Sequence, residues 1–165
     1  PTIRWVDAVC GSHGWAGAGT DKLLPLHVAC LRGHREAVDW LVPRSPGGVN
    51  SRRDDGPTPL YQACLGGHMS LATHLVDLGA DVSVVMWDGQ NMLHAAAKSG
   101  NADLMEWCHQ RGVPVTSDRK EQTVLHLASE SGSVAAMQWA LGHGGDVTAV
   151  DACSDTPLHL SLIHI

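Results

Sequence analysis

The sequence predicts an all-α repeat solenoid, in which antiparallel helix pairs stack side by side and hairpin-like loops project from one edge. A leucine followed by histidine or tyrosine recurs at positions 26, 60, 93, 125 and 158. Glycine recurs in phase with it at positions 33, 67, 100 and 132, so that both series advance in steps of 32 to 34 residues. A repeat of this length is typical of proteins built by stacking one small helical unit.

The first helix of each unit has recognisable start and stop signals. Thr58 and Thr156 are suited to cap a helix whose first turn begins with the proline that follows each of them. Asn91 and Thr123 occupy the same place without the proline. The recurring glycines come nine residues after these caps and seven after the recurring leucines, where a short helix has to end and the chain has to reverse.

A second helix follows each glycine. Apolar residues recur there at helical spacing, as in Leu71, Leu75 and Val76. Its expected end is Pro43 in the first complete unit and Gly79, Gly112 or Gly144 in later units. Tryptophan occupies one position of this helix in three units, and we expect the ring to fill the core between units rather than to form a ladder for stacking a ligand. These tryptophans are Trp40, Trp107 and Trp139.

The repeat resembles the ankyrin repeat, whose signature reads Gly-x-Thr-Pro-Leu-His-x-Ala, then Gly-His, then Gly-Ala-Asp-Val-Asn. The most complete copy reads Gly56-Pro57-Thr58-Pro59-Leu60-Tyr61-Gln62-Ala63, with Gly67-His68 and Gly79-Ala80-Asp81-Val82-Ser83 after it. The other copies match in part, and together they cover residues 20–159. The resemblance implies stacked helix pairs with projecting hairpins and a role in binding other proteins.

The register divides residues 1–159 into one continuous array. We expect a partial, degenerate repeat and loop at 1–19, repeats at 20–52, 53–85, 86–117 and 118–150, and the start of a truncated fifth repeat at 151–159. The four repeats and the start of the fifth are called units one to five below. Residues 160–165 equal the translation of a common sequencing adapter, so we expect them to be a non-native tail. The chain is therefore predicted to be a fragment of a longer array.

Composition restricts the possible partners and compartments. The net charge is −6 with histidine neutral, which gives no electrostatic support for nonspecific binding of nucleic acid. No apolar run is long enough to span a membrane within this segment. The five cysteines include no Cys-x-x-Cys pair and suit buried free thiols in a reducing compartment, which predicts a cytoplasmic or nuclear protein.

The residues that could carry chemistry have simpler structural explanations. His27, His94, His126 and His159 stand at equivalent positions of successive units, so we expect structural hydrogen bonds rather than a metal site. The glycine-rich residues 14–19 lack the Gly-Lys-Ser/Thr ending of a phosphate-binding loop. No signature of a serine hydrolase, zinc protease or kinase is present. The sequence therefore predicts no catalytic residue, no metal and no cofactor.

Ankyrin repeats bind proteins through the hairpin tips and the exposed face of the first helix, which line a concave groove. Trp87 stands out because these tips usually carry polar residues; packing onto the neighbouring hairpin is the alternative explanation. In the fourth unit, Glu121 replaces the usual loop glycine. The positions implied by the resemblance are Asp54, Pro57, Leu65, Met86, Trp87, Asp88, Gln90, Lys98, Ser99, Arg119, Lys120, Gln122, Glu130 and Ser131.

We therefore predict a non-catalytic, monomeric scaffold that binds a protein partner through this groove. The alternative is a regulatory or substrate-docking segment of a larger multidomain enzyme, such as a kinase or a ubiquitin ligase, or of a channel. A third possibility is a spacer that binds nothing tightly. The apolar tip at Met86 and Trp87 argues against the spacer.

Overall fold

The computed structural model describes residues 25–52 and 56–162. The predictions for the partial repeat and glycine-rich loop at 1–19, for Cys10 and for Asp54 concern residues outside these ranges.

Nine α-helices form four complete pairs and one further first helix within the described ranges. The helices are α1 (Pro25–Leu31), α2 (Arg35–Leu41), α3 (Pro59–Leu65), α4 (Met69–Asp77), α5 (Met92–Lys98), α6 (Ala102–Gln110), α7 (Val124–Glu130), α8 (Val134–Gly142) and α9 (Pro157–Leu162). Two short 3-10 turns, Val42–Arg44 and Gly48–Asn50, lie between α2 and α3. The predicted all-α repeat solenoid is confirmed.

The helices form two layers. The first helices α1, α3, α5, α7 and α9 pack side by side, and each is packed against its own second helix where that helix is described. The recurring leucines lie between the layers: Leu26, Leu60, Leu93 and Leu125 are buried. Leu158 is the exception, since it is exposed in α9, whose main contact is with α7.

The predicted helix caps are present. Asn91 Oδ1 accepts hydrogen bonds from the backbone N–H groups of Leu93 and His94 at 3.1 and 3.2 Å. Thr58 and Thr123 each accept one bond from the third helical residue in the same way. Gly33, Gly67, Gly100 and Gly132 end the first helices with φ of 72°, 73°, 70° and 71°, in the left-handed region expected for such a stop.

The repeated histidines are structural, as expected. Nδ1 of His94, His126 and His159 accepts the backbone N–H of the cap residue three positions earlier, at 3.1–3.2 Å. A backbone N–H can only donate, so Nδ1 carries the lone pair in each of these rings. Burial lowers the pKa of His94, which favours the neutral form that this bond requires.

The prediction that all three second-helix tryptophans fill the core is wrong for Trp40. Trp107 is 7% exposed, whereas Trp40 is 39% exposed and Trp139 is half-buried. Helix α2 ends at Leu41, and the 3-10 turn after it brings the Arg44 guanidinium to 4.3 Å from the Trp40 ring centre. Arg111 lies over the Trp107 ring in the same way, at 3.9 Å from its centre, so an arginine covers one face of both rings and the two differ in how much of the rest is buried.

The expectation of buried free thiols holds for Cys30, Cys64 and Cys108 and fails for Cys153, which is exposed. Burial raises the pKa of Cys30 to about 12, so this thiol stays protonated and unreactive. Cys153 is exposed because it lies at a hairpin tip in unit five. None of the described helices is long and apolar enough to cross a membrane.

Candidate functional site

Three hairpin tips share one turn geometry. They comprise residues 86–90, 118–122 and 151–155, and are called the tip row below. In each, the N–H of the first residue donates to the carbonyl of the fifth: Met86 to Gln90 at 2.8 Å, Asp118 to Gln122 at 3.0 Å and Asp151 to Asp155 at 3.0 Å. The backbone turn is therefore closed in the same way three times.

Aspartate side chains hold two of these turns from inside. Asp118 Oδ1 accepts the N–H groups of Lys120 and Gln122 at 2.8 and 3.0 Å. Asp151 Oδ1 accepts those of Cys153 and Asp155 at 2.9 and 3.0 Å. An aspartate that bonds to the backbone two residues ahead mimics a backbone turn, so these carboxylates have a structural role.

The fourth residue of each tip adopts the left-handed conformation. Gly89 has φ of 84°, and Glu121 and Ser154 adopt the same region with φ of 60° and 67°. Glycine has no Cβ and enters this region freely, whereas other residues pay a conformational cost there. Glu121 therefore keeps the turn that glycine would form, and the tip of unit four has the same geometry as the tip of unit three.

The tips are joined to one another by backbone hydrogen bonds. The N–H of Arg119 donates to the carbonyl of Asp88 at 2.8 Å, and the N–H of Ala152 donates to the carbonyl of Lys120 at 2.8 Å. Each bond connects the second residue of one tip to the third residue of the tip before it. The tip row is therefore one continuous surface rather than three independent loops.

Trp87 is the largest side chain that the tip row exposes. It is 61% exposed, while Met86 beside it is half-buried and packs against the core. Most of the indole surface is therefore not covered by a neighbouring hairpin. Arg119 occupies the equivalent position of the next tip and is also exposed, as is Lys120. The row thus presents an aromatic ring followed by two cations.

The remaining predicted site residues differ in their exposure. Glu130 is exposed, and Pro57, Leu65, Asp88, Lys98, Ser99, Gln122 and Ser131 are half-buried. The Ser99 and Ser131 hydroxyls donate to the helix carbonyls of Ala96 and Ala128. Gln90 differs from the others because it is only 6% exposed, so its side chain faces the interior of the array and not the surface.

A buried polar network surrounds Gln90. The Tyr61 hydroxyl donates to Gln90 Oε1 at 2.7 Å, and Lys98 Nζ donates to the same oxygen at 2.8 Å. Gln90 Nε2 donates to Asp118 Oδ2 at 3.0 Å. Sequence reasoning missed Tyr61 and Asp118; the available signal was that Tyr61 stands where the other units have histidine. Burial, reinforced by Asp88, raises the pKa of Tyr61 well above its usual value, so the phenol remains a donor.

Two observations on the described residues bear on metal binding and on acid–base chemistry. No group of three or more histidine, cysteine or acidic residues among them is placed to hold a metal ion. His74 forms a short contact with Asp39, at 2.5 Å from Nε2 to Oδ1. Arg35 Nη2 lies 3.1 Å from the other ring nitrogen, where it donates its proton. Both nitrogens are thus engaged, so His74 has no free lone pair with which to act as a base.

Comparison with known proteins agrees with this architecture. A family model described as ankyrin repeats matches residues 9–86, 26–110 and 93–164. The chain is similar to the target of rapamycin complex 2 subunit AVO2 of Saccharomyces cerevisiae, with 26% identity over 93 residues, which is 56% of this chain and 22% of that protein. It is also similar to the ankyrin repeat protein nuc-2 of Neurospora crassa, with 25% identity over 95 residues, 58% of this chain and 9% of that protein. The chain thus matches less than a quarter of the length of either relative. Because the family model covers most of the sequence, this chain belongs to the ankyrin repeat family.

Proposed function

We propose that this protein is a non-catalytic scaffold that binds another protein through the tip row and the adjoining first-helix face of units three and four. Ankyrin repeats are protein-interaction modules. The observation that carries the proposal is the exposed Trp87 on a row of tips fixed to one another through backbone hydrogen bonds. A rigid, exposed aromatic side chain is the usual anchor of a protein interface, because it buries a large area at a small cost in side-chain entropy.

The residues around Trp87 suit a protein partner better than a small ligand. Arg119, Lys120 and Glu121 are exposed on the next tip, and Glu130 is exposed at the end of α7 in the same unit. Mixed charges around an aromatic centre are typical of the rim and core of a protein interface. Gln90 is left out of the proposed contact surface because it is buried.

The comparisons support a place in a protein assembly. AVO2 is by name a subunit of target of rapamycin complex 2. By analogy we propose that the present chain also serves as an interaction subunit or segment. We further propose an intracellular location, cytoplasmic or nuclear, because Cys30, Cys64 and Cys108 are free and buried in the array, as suits a reducing compartment.

The test is affinity capture with two matched tryptophan variants. Trp87→Ala removes the proposed anchor, and Trp40→Ala removes an exposed tryptophan from the second-helix layer. Immobilised wild-type protein and both variants are incubated with extract from the native source, and bound proteins are quantified by mass spectrometry. We expect at least one protein whose recovery falls more than tenfold with Trp87→Ala and stays unchanged with Trp40→Ala.

Two outcomes would contradict the proposal. One is that Trp87→Ala captures the same proteins in the same amounts as the wild type. The other is that Trp87→Ala lowers the melting temperature by more than about 4 °C, roughly the effect of 1 kcal/mol in a protein of this size. The loss of capture would then follow from unfolding, and Trp87 would be a packing residue.

A further inference from the structure

We propose that Gln90 is a positioning residue for the tip row, a buried link through which units two, three and four hold Trp87 and Arg119 in fixed relation. Tyr61 and Asp118 are its partners on the two sides. This inference rests on the proposed function for its biological meaning, while its physical content can be tested on the free protein.

The chemistry of the partners fixes the orientation of the Gln90 amide. Lys98 can only donate, so the amide oxygen has to face its ammonium group, as the 2.8 Å distance indicates. The amide nitrogen then faces the Asp118 carboxylate, which can only accept. Tyr61 donates to the second lone pair of the oxygen. Both ends of the amide are therefore used, and turning it over would break the bonds to Lys98 and Asp118.

The link reaches unit two through Tyr61, which stands where the other units have histidine. In units three, four and five, the equivalent histidine bonds to the cap residue of its own helix. The Tyr61 hydroxyl instead reaches Gln90, 29 residues further along the chain. On the other side, Gln90 bonds to Asp118, 28 residues further along. His126 also reaches the next unit, since its Nε2 lies 3.1 Å from the carbonyl oxygen of Asp155. Tyr61 differs because it bonds to a side chain, and that side chain continues the connection to Asp118.

The same two residues, Gln90 and Asp118, also hold the two exposed tips, through other atoms than those of the link. Gln90 is the last residue of the tip of unit three, and its carbonyl accepts the N–H of Met86, next to Trp87. Asp118 is the first residue of the tip of unit four, and its side chain accepts the N–H groups of Lys120 and Gln122. The bond between Gln90 and Asp118 therefore joins the two turns that present Trp87 and Arg119.

Burial makes this link strong. Tyr61, Gln90 and Asp118 are all buried, so a broken bond leaves a polar group without water to replace its partner. Pro57 occupies the Gln90 position in unit two and has no side-chain donor or acceptor. Gln90 thus provides a link to the next tip that Pro57 could not provide from its own unit.

Two variants separate the two sides of the link. Tyr61→Phe removes only the phenolic oxygen, and with it the bond between units two and three. Gln90→Glu keeps an oxygen for Tyr61 and Lys98 but places a second carboxylate oxygen against Asp118. We expect Gln90→Glu to break the connection between units three and four and Tyr61→Phe to leave it in place.

The reporter is hydrogen exchange at the Arg119 amide, which is bonded to Asp88 across the two tips. We expect exchange at Arg119 to accelerate at least tenfold in Gln90→Glu and less than threefold in Tyr61→Phe. The Ala80 amide, which is bonded to Leu75 in unit two, is the control and should be unchanged. Should Gln90→Glu fail to fold, Gln90→Met, which has similar volume and no amide, is measured in its place with the same expectation.

Unchanged exchange at Arg119 would overturn the inference, as would equal acceleration at Arg119 and Ala80, since the latter indicates a general loss of stability. The positioning role has a further test with the protein captured by the wild type. Gln90→Glu should weaken that capture about tenfold although its side chain is buried. If Gln90→Glu accelerates exchange at the Arg119 amide but leaves capture undiminished, the positioning role is refuted. If capture does not depend on Trp87, the proposed function is refuted.

Discussion

The two helix layers of this array differ in how uniformly they use equivalent positions. In the first-helix layer, Leu26, Leu60, Leu93 and Leu125 are all buried, and only Leu158, in the last described first helix, is exposed. In the second-helix layer, one position holds Trp40 at 39% exposure and Trp107 at 7% exposure. A first helix is fixed by its own cap and by the first helices on either side, so its environment repeats. A second-helix side chain depends on what the adjacent loop and the next unit provide, and its environment changes from unit to unit.

The largest expected difference is between the two tryptophans that share this position. Trp107→Ala should lower the free energy of unfolding by about 3–5 kcal/mol, because it deletes a buried aromatic side chain. Trp40→Ala should cost less than about 1 kcal/mol, since much of that ring already faces water. Urea denaturation followed by circular dichroism measures both. Equal costs would mean that equivalence by repeat register, rather than local environment, determines the energy.

Glycine substitution compares the tightness of the two layers. A Cβ at Gly66, which follows α3, would lie 2.4 Å from the carbonyl oxygen of Leu31, so backbone has to move. Gly66→Ala should therefore cost about 1–3 kcal/mol, the usual penalty for overpacking. A Cβ at Gly142, in α8, would have no atom within 4 Å.

Gly142→Ala is the matched control and should be neutral or stabilising by up to about 1 kcal/mol, because alanine favours helix. The same denaturation experiment compares the two substitutions. If Gly66→Ala left the free energy of unfolding unchanged, α1 and α3 could move apart at little cost. The contrast between the two layers would then not hold.

The smallest effect is expected at the tips. Glu121 adopts φ of 60° at the position that Gly89 occupies in the tip of unit three. Glu121→Gly should raise the free energy of unfolding by about 0.5–1 kcal/mol, because it removes the cost of a left-handed non-glycine residue. Gly89→Ala should do the opposite, and by more, since its Cβ would also lie 3.1 Å from the Arg119 backbone nitrogen. A destabilising Glu121→Gly would contradict the equivalence of the two turns.

The repeat signals predicted the first-helix layer well because those signals act over a few residues. Asn91 and Thr123 cap their helices as expected, and Nδ1 of His94 and of His126 accepts the backbone N–H of these cap residues. The chain does not show which residues 28 or 29 positions apart will meet, so the links from Gln90 to Tyr61 and Asp118 were not predicted.

The candidate site was predicted less completely than the fold. Repeat register assigned Gln90 to the partner surface, yet the side chain is buried, because Tyr61 of the preceding unit and Asp118 of the following one both bond to it. Trp40 was assigned to the core by the same register, and the turn that carries Arg44 over its ring was not foreseen. Neighbouring units decide the environment of Gln90, whereas Arg44 lies in the same unit as Trp40, four residues after it. The repeat register specifies neither contact.

The most direct test of the central claim is site-specific photo-crosslinking in living cells of the native source. A photoreactive benzoylphenylalanine replaces Trp87 or Arg119 on the tip row, or Trp40 or Val134 in the second-helix layer, where both side chains are also exposed. We expect irradiation to attach the same protein at positions 87 and 119, and to attach it at neither position 40 nor position 134. Adducts confined to positions 40 and 134, or the absence of any protein adduct at 87 and 119, would contradict the central claim.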